Sequence, residues 1–311
     1  MSSMSTIKLS IVICTYNRER FLPGLFESIK AQTLDRALYE VVLVNNNSTD
    51  RTEELCREFM ESNSDINCSY FVETNQGLSY ARNRGIVESK GEYVTFADDD
   101  ALLAPDFSAM ACAYLDAHPE VGEVGGPILL QYMGRIPAWE NPYMNSLLGY
   151  FQPSLEKYRM TKKNRCYPRG SNMTFRSSIF QKCGMFNVAL GRVGRMLVGG
   201  EEKDIAYRIF DAGEAIDYDP SIVVYHLVPE ERTTMEFIKR QAIGTGQSER
   251  VRSSLPGNSY TKRIVVECAK WAATIILWFR YMLTLKPAKA NTLVRFRWWV
   301  SMGLLNICNK S

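Results

Sequence analysis

Strands buried in a parallel sheet read as short, unbroken β-branched runs, and the first hundred residues contain four, separated by helix-patterned stretches. The runs are 8–14 (KLSIVIC), 39–44 (YEVVLV), 68–72 and 92–97. Between the first two, Phe21, Leu22, Leu25, Phe26 and Ile29 recur at helical spacing. Further helices are expected over 50–60, capped by Ser48 or Thr49, and over 78–89. Such alternation predicts βαβ units and a mostly parallel, doubly wound α/β sheet with helices on both faces. Ligands of such sheets bind beyond the carboxyl ends of the strands. Here those ends are 15–17, 45–50 and 98–100, all polar, so hydrogen-bonding groups are directed to one edge.

Asp98-Asp99-Asp100 is the most informative triplet. Adjacent carboxylates repel one another, and folding them together costs stability unless a cation or donors neutralise them. Hard divalent ions such as Mg²⁺ or Mn²⁺ take oxygen ligands and bridge carboxylates to phosphates; a solvated acidic turn is the plain alternative. Gly199-Gly200-Glu201-Glu202-Lys203-Asp204 sets several carboxylates at a helix start, where acids favour the dipole. One of them is also a candidate general base, and the glycines would let a substrate approach the backbone. His226, at the end of an expected strand over 222–225, is suited to a metal or a phosphate, or to a structural role; His118 is expected at the surface.

Several chemistries lack their signatures. No G-x-G-x-x-G or G-x-x-x-x-G-K-[ST] follows the first strand, and no G-x-S-x-G elbow is present. The D-x-D pattern of phosphotransferring HAD enzymes wants Thr or Val where Leu102 stands. The eight cysteines form no CxxC and no even ladder, so free thiols in a reducing compartment are expected. The apolar run 9–14 is too short for a signal peptide, and a cytoplasmic protein is expected.

The set Ile13-Cys14-Thr15-Tyr16-Asn17-Arg18, 45–50, Asn75-Gln76-Gly77 with Ala81-Arg82-Asn83, 98–100 and Gly200-Glu201-Glu202-x-Asp204 resembles glycosyltransferase family 2 over residues 7–250. The resemblance implies a GT-A fold and inverting transfer from a nucleotide sugar, UDP-linked for preference, to a glycan or lipid-linked hydroxyl. It implies that Thr15, Asn17, Asn45 and Arg82 surround the base and ribose, with Tyr16, Arg18 and Asn47 on the same loops. Asp98 and Asp99 would face the nucleoside, Asp100 and His226 the divalent metal (Mn²⁺ or Mg²⁺) and diphosphate. Gly170-Ser171-Asn172 and Gly200-Glu201 would border the donor sugar and acceptor. Glu202 stands where the family has the Asp of its Glu-Asp pair, making it the implied base, with Glu201 and Asp204 as alternatives. Asn45 likewise replaces a usual Asp. Two other readings are a sugar-nucleotide nucleotidyltransferase and an inactive nucleotide-sugar-binding scaffold. The first wants a glycine-rich phosphate loop that 15–20 lacks, and the retained acids at 201, 202 and 204 speak against the second.

The chain carries a net charge of only +3, distributed unevenly. From Arg250 onward 11 Lys/Arg face one acid, Glu267, so a basic tail over 251–311 is expected beside a GT-A domain over 1–250, whose halves divide near 120. Within the tail, the longest charge-free stretch of 264–284 is far below the ~20 residues of a spanning helix. Arg263, Glu267, Lys270 and Thr274 form one polar stripe, and Trp271, Trp278, Trp298 and Trp299 lie near Arg295 and Arg297. Trp with Lys/Arg on an amphipathic helix suits an anionic membrane surface, reached through 262–300. A helical hairpin packed on the domain, or forming a homodimer, is the alternative. No nucleic acid is expected, because bulky apolars interrupt the basic residues.

Overall fold

A computed structural model describes residues 7–191, 200–253 and 259–307. Gly199 and Cys308 lie outside the described residues, and the other seven cysteines are free. The elements in chain order are β1 (Leu9–Thr15), α1 (Leu22–Lys30), β2 (Tyr39–Asn45), α2 (Thr52–Ser62), β3 (Asn67–Val72), α3 (Leu78–Glu88) and β4 (Tyr93–Asp98). Then come β5 (Ala101–Leu103), α4 (Phe107–Ala117), β6 (Val121–Gly125), β7 (Ile128–Tyr132), β8 (Tyr158–Met160), β9 (Met173–Arg176) and α5 (Ser178–Cys183). The chain ends with α6 (Glu201–Asp211), β10 (Ala215–Tyr218), β11 (Val224–Val228), α7 (Met235–Ser253), α8 (Tyr260–Leu283) and α9 (Pro287–Leu305).

The main sheet has the order β3-β2-β1-β4-β9-β6-β10-β8, and β5, β11 and β7 form a smaller one. In the main sheet β1, β2, β3 and β4 are mutually parallel and β10 runs parallel to β6, while β9 and β8 pair antiparallel with their neighbours. Side chains alternate across a strand, and β1 shows the result. Leu9, Ile11 and Ile13 enter one core with Leu22, Leu25, Phe26 and Ile29 of α1, Cys56 and Phe59 of α2 and Phe107 of α4. Val12 enters the opposite core with Ala81 of α3, Ile179 and Phe180 of α5 and Ile205 and Ile209 of α6. Each large aliphatic side chain so buried contributes roughly 1.5–3 kcal/mol.

Four local expectations are corrected. The helix after β2 starts at Thr52, and Ser48 and Thr49 do not cap it. The Asp50 carboxylate accepts the Thr52 N–H (3.1 Å), while the Ser48 hydroxyl and Thr49 N–H bond Asn17 instead. His226 lies inside β11 rather than at a strand end, because β11 pairs antiparallel with β5 as far as His226 opposite Ala101. His118 is half-buried: its ring stacks on Tyr114 and its Nδ1 lies 2.8 Å from the Tyr114 carbonyl oxygen. The stretch 120–200, which reads as irregular, contains the short strands β6, β7, β8 and β9.

Two compact units are present: residues to Leu129 with Phe151–His226, and Leu130–Tyr150 with Leu227 onward. The second joins α7 to the tail helices. Its core gathers Trp139, Met144, Leu148, Ile238, Leu293, Phe296 and Val300. Glycines allow α7 and α9 to touch backbone to backbone: a Cβ on Gly246 would meet the Val300 carbonyl at 2.1 Å, and one on Gly303 the Ile243 carbonyl at 2.2 Å. No helix among the described residues is long and apolar enough to cross a membrane.

Candidate active site

Sheet register assembles the site, all of it within the first unit. Cys14 lies opposite Asp98 and Thr15 opposite Asn45, so the ends of β1, β2 and β4 are side by side. Beyond them the chain turns through Asn17 (φ 53°) and Asn47 (φ 64°), a left-handed backbone that asparagine tolerates. Their amides fasten the loops. Asn17 Oδ1 accepts the Thr49 N–H (2.8 Å), and Asn47 Nδ2 donates to the Thr74 carbonyl (2.8 Å). Asn45 Nδ2 donates to the Tyr70 hydroxyl and its Oδ1 accepts the Ser48 N–H, both at 2.8 Å. Tyr16 stands exposed beside them.

Arg82 is the centre of the site. Three residues on, Gly85 presses α3 against β1, where a Cβ would fall 2.2 Å from Val12 Cγ1. That approach sinks Arg82, on the same helix face, to full burial. Its guanidinium meets Glu201 (3.1 Å), Asp98 (3.7 Å) and Glu202 (3.7 Å) and lies over the rings of Phe96 and Phe186. Asn83 secures Phe186 through both backbone groups of that residue.

The three acids of α6 differ in what already engages them. Glu201, buried, takes Arg82 and the Gly200 N–H (2.9 Å). Asp204 pairs with Arg208 one turn along (2.9 Å). Among the described residues Glu202 has its longer contact to Arg82, with about a quarter of its side chain (26%) open. Burial pushes its carboxyl above the ordinary glutamate value; Arg82 opposes the rise, and Glu201 and Asp98 add to it. Gly200 starts the helix at φ 128°, with no atom of the described residues within 4 Å of where a Cβ would sit.

Because β9 runs antiparallel to β4, the residues before Met173 arrive at the end of β4. Gly170 reaches the acids: a Cβ there would meet Glu202 Oε1 at 2.4 Å and Arg82 Nη2 at 2.5 Å. Ser171 and Asn172 are buried, and the Asn172 amide is committed to the frame, donating to the carbonyls of Pro127 (3.0 Å) and Ile222 (2.8 Å).

Opposite Arg82, the pairing of Ala101 with His226 sets Asp100 Oδ1 3.2 Å from His226 Nδ1. Asp99 is buried, 3.5 Å from Arg18. Burial and the Asp100 charge raise Asp99 to about 8, against the pull of Arg18 and with Asp98 adding. The site thus gathers five carboxyls, Asp98, Asp99, Asp100, Glu201 and Glu202, around Arg18, Arg82 and His226.

The family model for glycosyl transferase family 2 matches residues 10–184. The chain belongs to glycosyl transferase family 2. By that membership it is a glycosyltransferase. A glucosyl-dolichyl phosphate glucuronosyltransferase of Haloferax volcanii is 26% identical over 270 residues, 84% of this chain and 84% of that protein. Among solved structures, the mannosyltransferase PcManGT of Pyrobaculum calidifontis with GDP-Man and Mn²⁺ superposes with a TM-score of 0.61 at 21% identity, over 96% of this chain and 87% of that one. Staphylococcus aureus TarS 1–349 with UDP gives 0.53 at 18% identity over 77% of this chain. The glycosyltransferase spans 65% of that TarS fragment, and the two likenesses show the GT-A fold.

Sequence reasoning missed two residues of this glycosyltransferase. Asn46, buried, donates to the carbonyls of Glu73 (2.9 Å) and Asn75 (2.8 Å) and accepts the Gly77 N–H (2.8 Å), which fixes the start of the helix carrying Arg82. Its place amid polar Asn45 and Asn47 was the available signal. Glu123, in the middle of β6, is fully buried, and its Oε2 has no hydrogen-bond partner among the described residues. Burial holds its carboxyl well above the ordinary value, with the Glu202 charge adding. An acid flanked by Gly122 and Val124 gave no pattern to set it apart.

Proposed function

We propose that this family member is an inverting, metal-dependent glycosyltransferase moving a sugar from a nucleotide-sugar donor, UDP-linked for preference, to a hydroxyl of a glycan or lipid-linked acceptor. One observation carries the reading: Glu202 and the Asp98–Asp100 end of β4 converge on one buried guanidinium, with a glycine, Gly170, giving backbone access to both. The relatives' acceptors favour envelope polysaccharide or lipid-linked glycan synthesis, at the cytoplasmic face of an anionic membrane reached through 262–300.

The donor's nucleoside would lie along the loops of Thr15–Arg18 and Asn45–Asn47, whose internal amide bonds keep their shape before binding. Asp100 and His226 fit a hard divalent ion. They offer one carboxylate and one imidazole beside Asp98 and Asp99, and would hold a Mg²⁺ or Mn²⁺ ion whose remaining ligands the substrate and water would supply. No group of three or more such side chains forms a full cage among the described residues, which suits an ion shared with substrate. When bound, the ion offsets the negative charge on the diphosphate. Glu202, with its proton affinity raised, accepts the acceptor hydroxyl's proton as that oxygen bonds the anomeric carbon. The bond from that carbon to the phosphate oxygen breaks with its electron pair leaving on the nucleoside diphosphate. Arg82 holds Glu201 and Asp98 in place and limits the repulsion around Glu202.

Thermal-shift measurements with UDP and GDP, each with and without Mn²⁺, test the reading. Stabilisation by a nucleoside diphosphate is expected to need the ion, and Asp100→Ala to remove the ion-dependent part. Equal shifts in wild type and Asp100→Ala would take Asp100 out of the site.

A further inference from the structure

The tail hairpin is built inside out. On α8 the charged stripe faces α9: buried Glu267 sits between Arg263 and Arg297, both at 3.1 Å, with the Ser301 hydroxyl at 3.2 Å. The Trp271 indole donates to the same Ser301 (2.9 Å), and Thr274 is buried beside them. The opposite face of α8 is apolar and open. Val265, Ala269, Ala272, Ile276, Phe279 and Leu283 follow one another in steps of four and three, all exposed, Ile276 at 68% and Leu283 at 85%. The stripe runs the length of a 24-residue helix, about 36 Å. A water-facing helix ordinarily has the reverse arrangement, and a continuous apolar face of this size marks a contact surface.

Charge selects the occupant. From Arg250 on, the only acid is Glu267, which is buried and paired. Lys262, Lys270, Arg280 and Lys286 are exposed along or just beyond α8. A second copy of this face would bring cation against cation, whereas an anionic bilayer supplies the opposite charge. At the C-terminal end of α8 lies a cavity of about 220 Å³, lined among others by Tyr143, Arg280, Tyr281, Thr284 and Lys286. It offers two cations and the phenols of Tyr143 and Tyr281, while the Thr284 hydroxyl donates to the Arg280 carbonyl (3.0 Å); no carboxylate among the described residues lines it. Glu140, which acts electrostatically on Tyr281, is paired with Lys289 (3.5 Å).

We propose that the apolar face of α8 lies on an anionic bilayer, and that the cavity at its end takes the phosphate of a lipid headgroup. The proposal deepens the membrane reading above and rests on it, while being independent of the transfer chemistry. The helix lies in the interface, with Ile276 and Phe279 entering the acyl boundary and Arg280 and Lys286 at phosphate level.

Flotation of the full chain tests it, with vesicles of phosphatidylcholine and of phosphatidylcholine with equimolar phosphatidylglycerol. Wild type is expected to float with the anionic vesicles only. Ile276→Glu, an exposed position whose near-UV circular dichroism should stay native, is expected to abolish flotation. The double variant Arg280→Gln, Lys286→Gln is expected to weaken partition roughly tenfold. Equal flotation on both vesicles overturns the anionic-surface part of the proposal, and a double variant that partitions like wild type overturns the headgroup site. An Ile276→Glu variant that floats normally overturns the face. Absence of wild-type flotation overturns the membrane reading itself, and a dimer in light scattering that Ile276→Glu splits would assign the face to self-association. The nucleotide-dependent thermal shift reports separately on the donor site, so either reading can fail alone.

Discussion

Glu123→Gln isolates one buried carboxyl. In the folded chain Glu123 is fully buried, and burial, with the Glu202 charge adding, keeps it protonated well above its ordinary value of 4.5. The unfolded chain releases that proton near 4.5. Between the two values the folded state therefore binds one proton more, and stability falls as pH rises, by about 1.4 kcal/mol per pH unit. The contribution is fully present below the unfolded value and is lost as pH climbs through the folded one. Glutamine matches the protonated acid in shape and cannot ionise. Above pH 5 the variant should gain on wild type by at most about 1.4 kcal/mol per pH unit until Glu123 ionises in the folded chain, all other groups being common to both. Urea unfolding of both proteins at several pH values measures the difference. Near pH 5 the two midpoints should nearly coincide and then diverge steadily. Curves that stay parallel would refute the reasoning, since Glu123 would then titrate alike folded and unfolded.

Further outcomes follow from the same geometry. Gly170→Ala brings a methyl to 2.4 Å from Glu202 Oε1 and 2.5 Å from Arg82 Nη2, so both groups must shift; kcat should fall about 100-fold and the melting temperature should drop as well, because Arg82 is buried, and an unaltered kcat would separate Gly170 from the reacting groups. Arg82→Met leaves Glu201 and Glu202 without their cation and should cost about 3–5 kcal/mol in urea unfolding at neutral pH, less in acid as the carboxyls protonate; a loss under about 1 kcal/mol would mean the acids find other partners. Glu202→Gln should lower kcat roughly 100- to 10,000-fold while nucleotide binding survives. In wild type, kcat/KM should fall as pH drops through a value above 4.5, because the raised carboxyl must be ionised to take the proton; an acid limb retained by Glu202→Gln would assign it to another group.

Much of the sheet was legible because β1, β2 and β4 bury both faces and so read as plain apolar runs, while β3, at the sheet edge and only partly buried, still forms a short run of its own. The strands from 121 to 176 were not legible. Each spans five residues or fewer, β6 contains two glycines, and runs this short do not stand out from loop. The helix at 201–211 was legible from its acidic start, but nothing in the spacing of Glu201, Glu202 and Asp204 distinguishes one that pairs with Arg208 from one left facing Gly170.

Sequence alone determined which chemical groups stand at strand ends, since polar residues terminate each buried run and a parallel sheet carries all those ends to one edge. It also determined that the tail is basic and apolar. Tertiary structure decided which of those groups act on one another. The antiparallel return of β9 carries Gly170 to Glu202, the pairing of β5 with β11 sets His226 against Asp100, and the packing of α8 on α9 turns the charged stripe inward. Each of these depends on contacts between residues far apart in the chain. Local pattern carries no record of such pairings, because a side chain's partner is set by where other strands and helices come to rest.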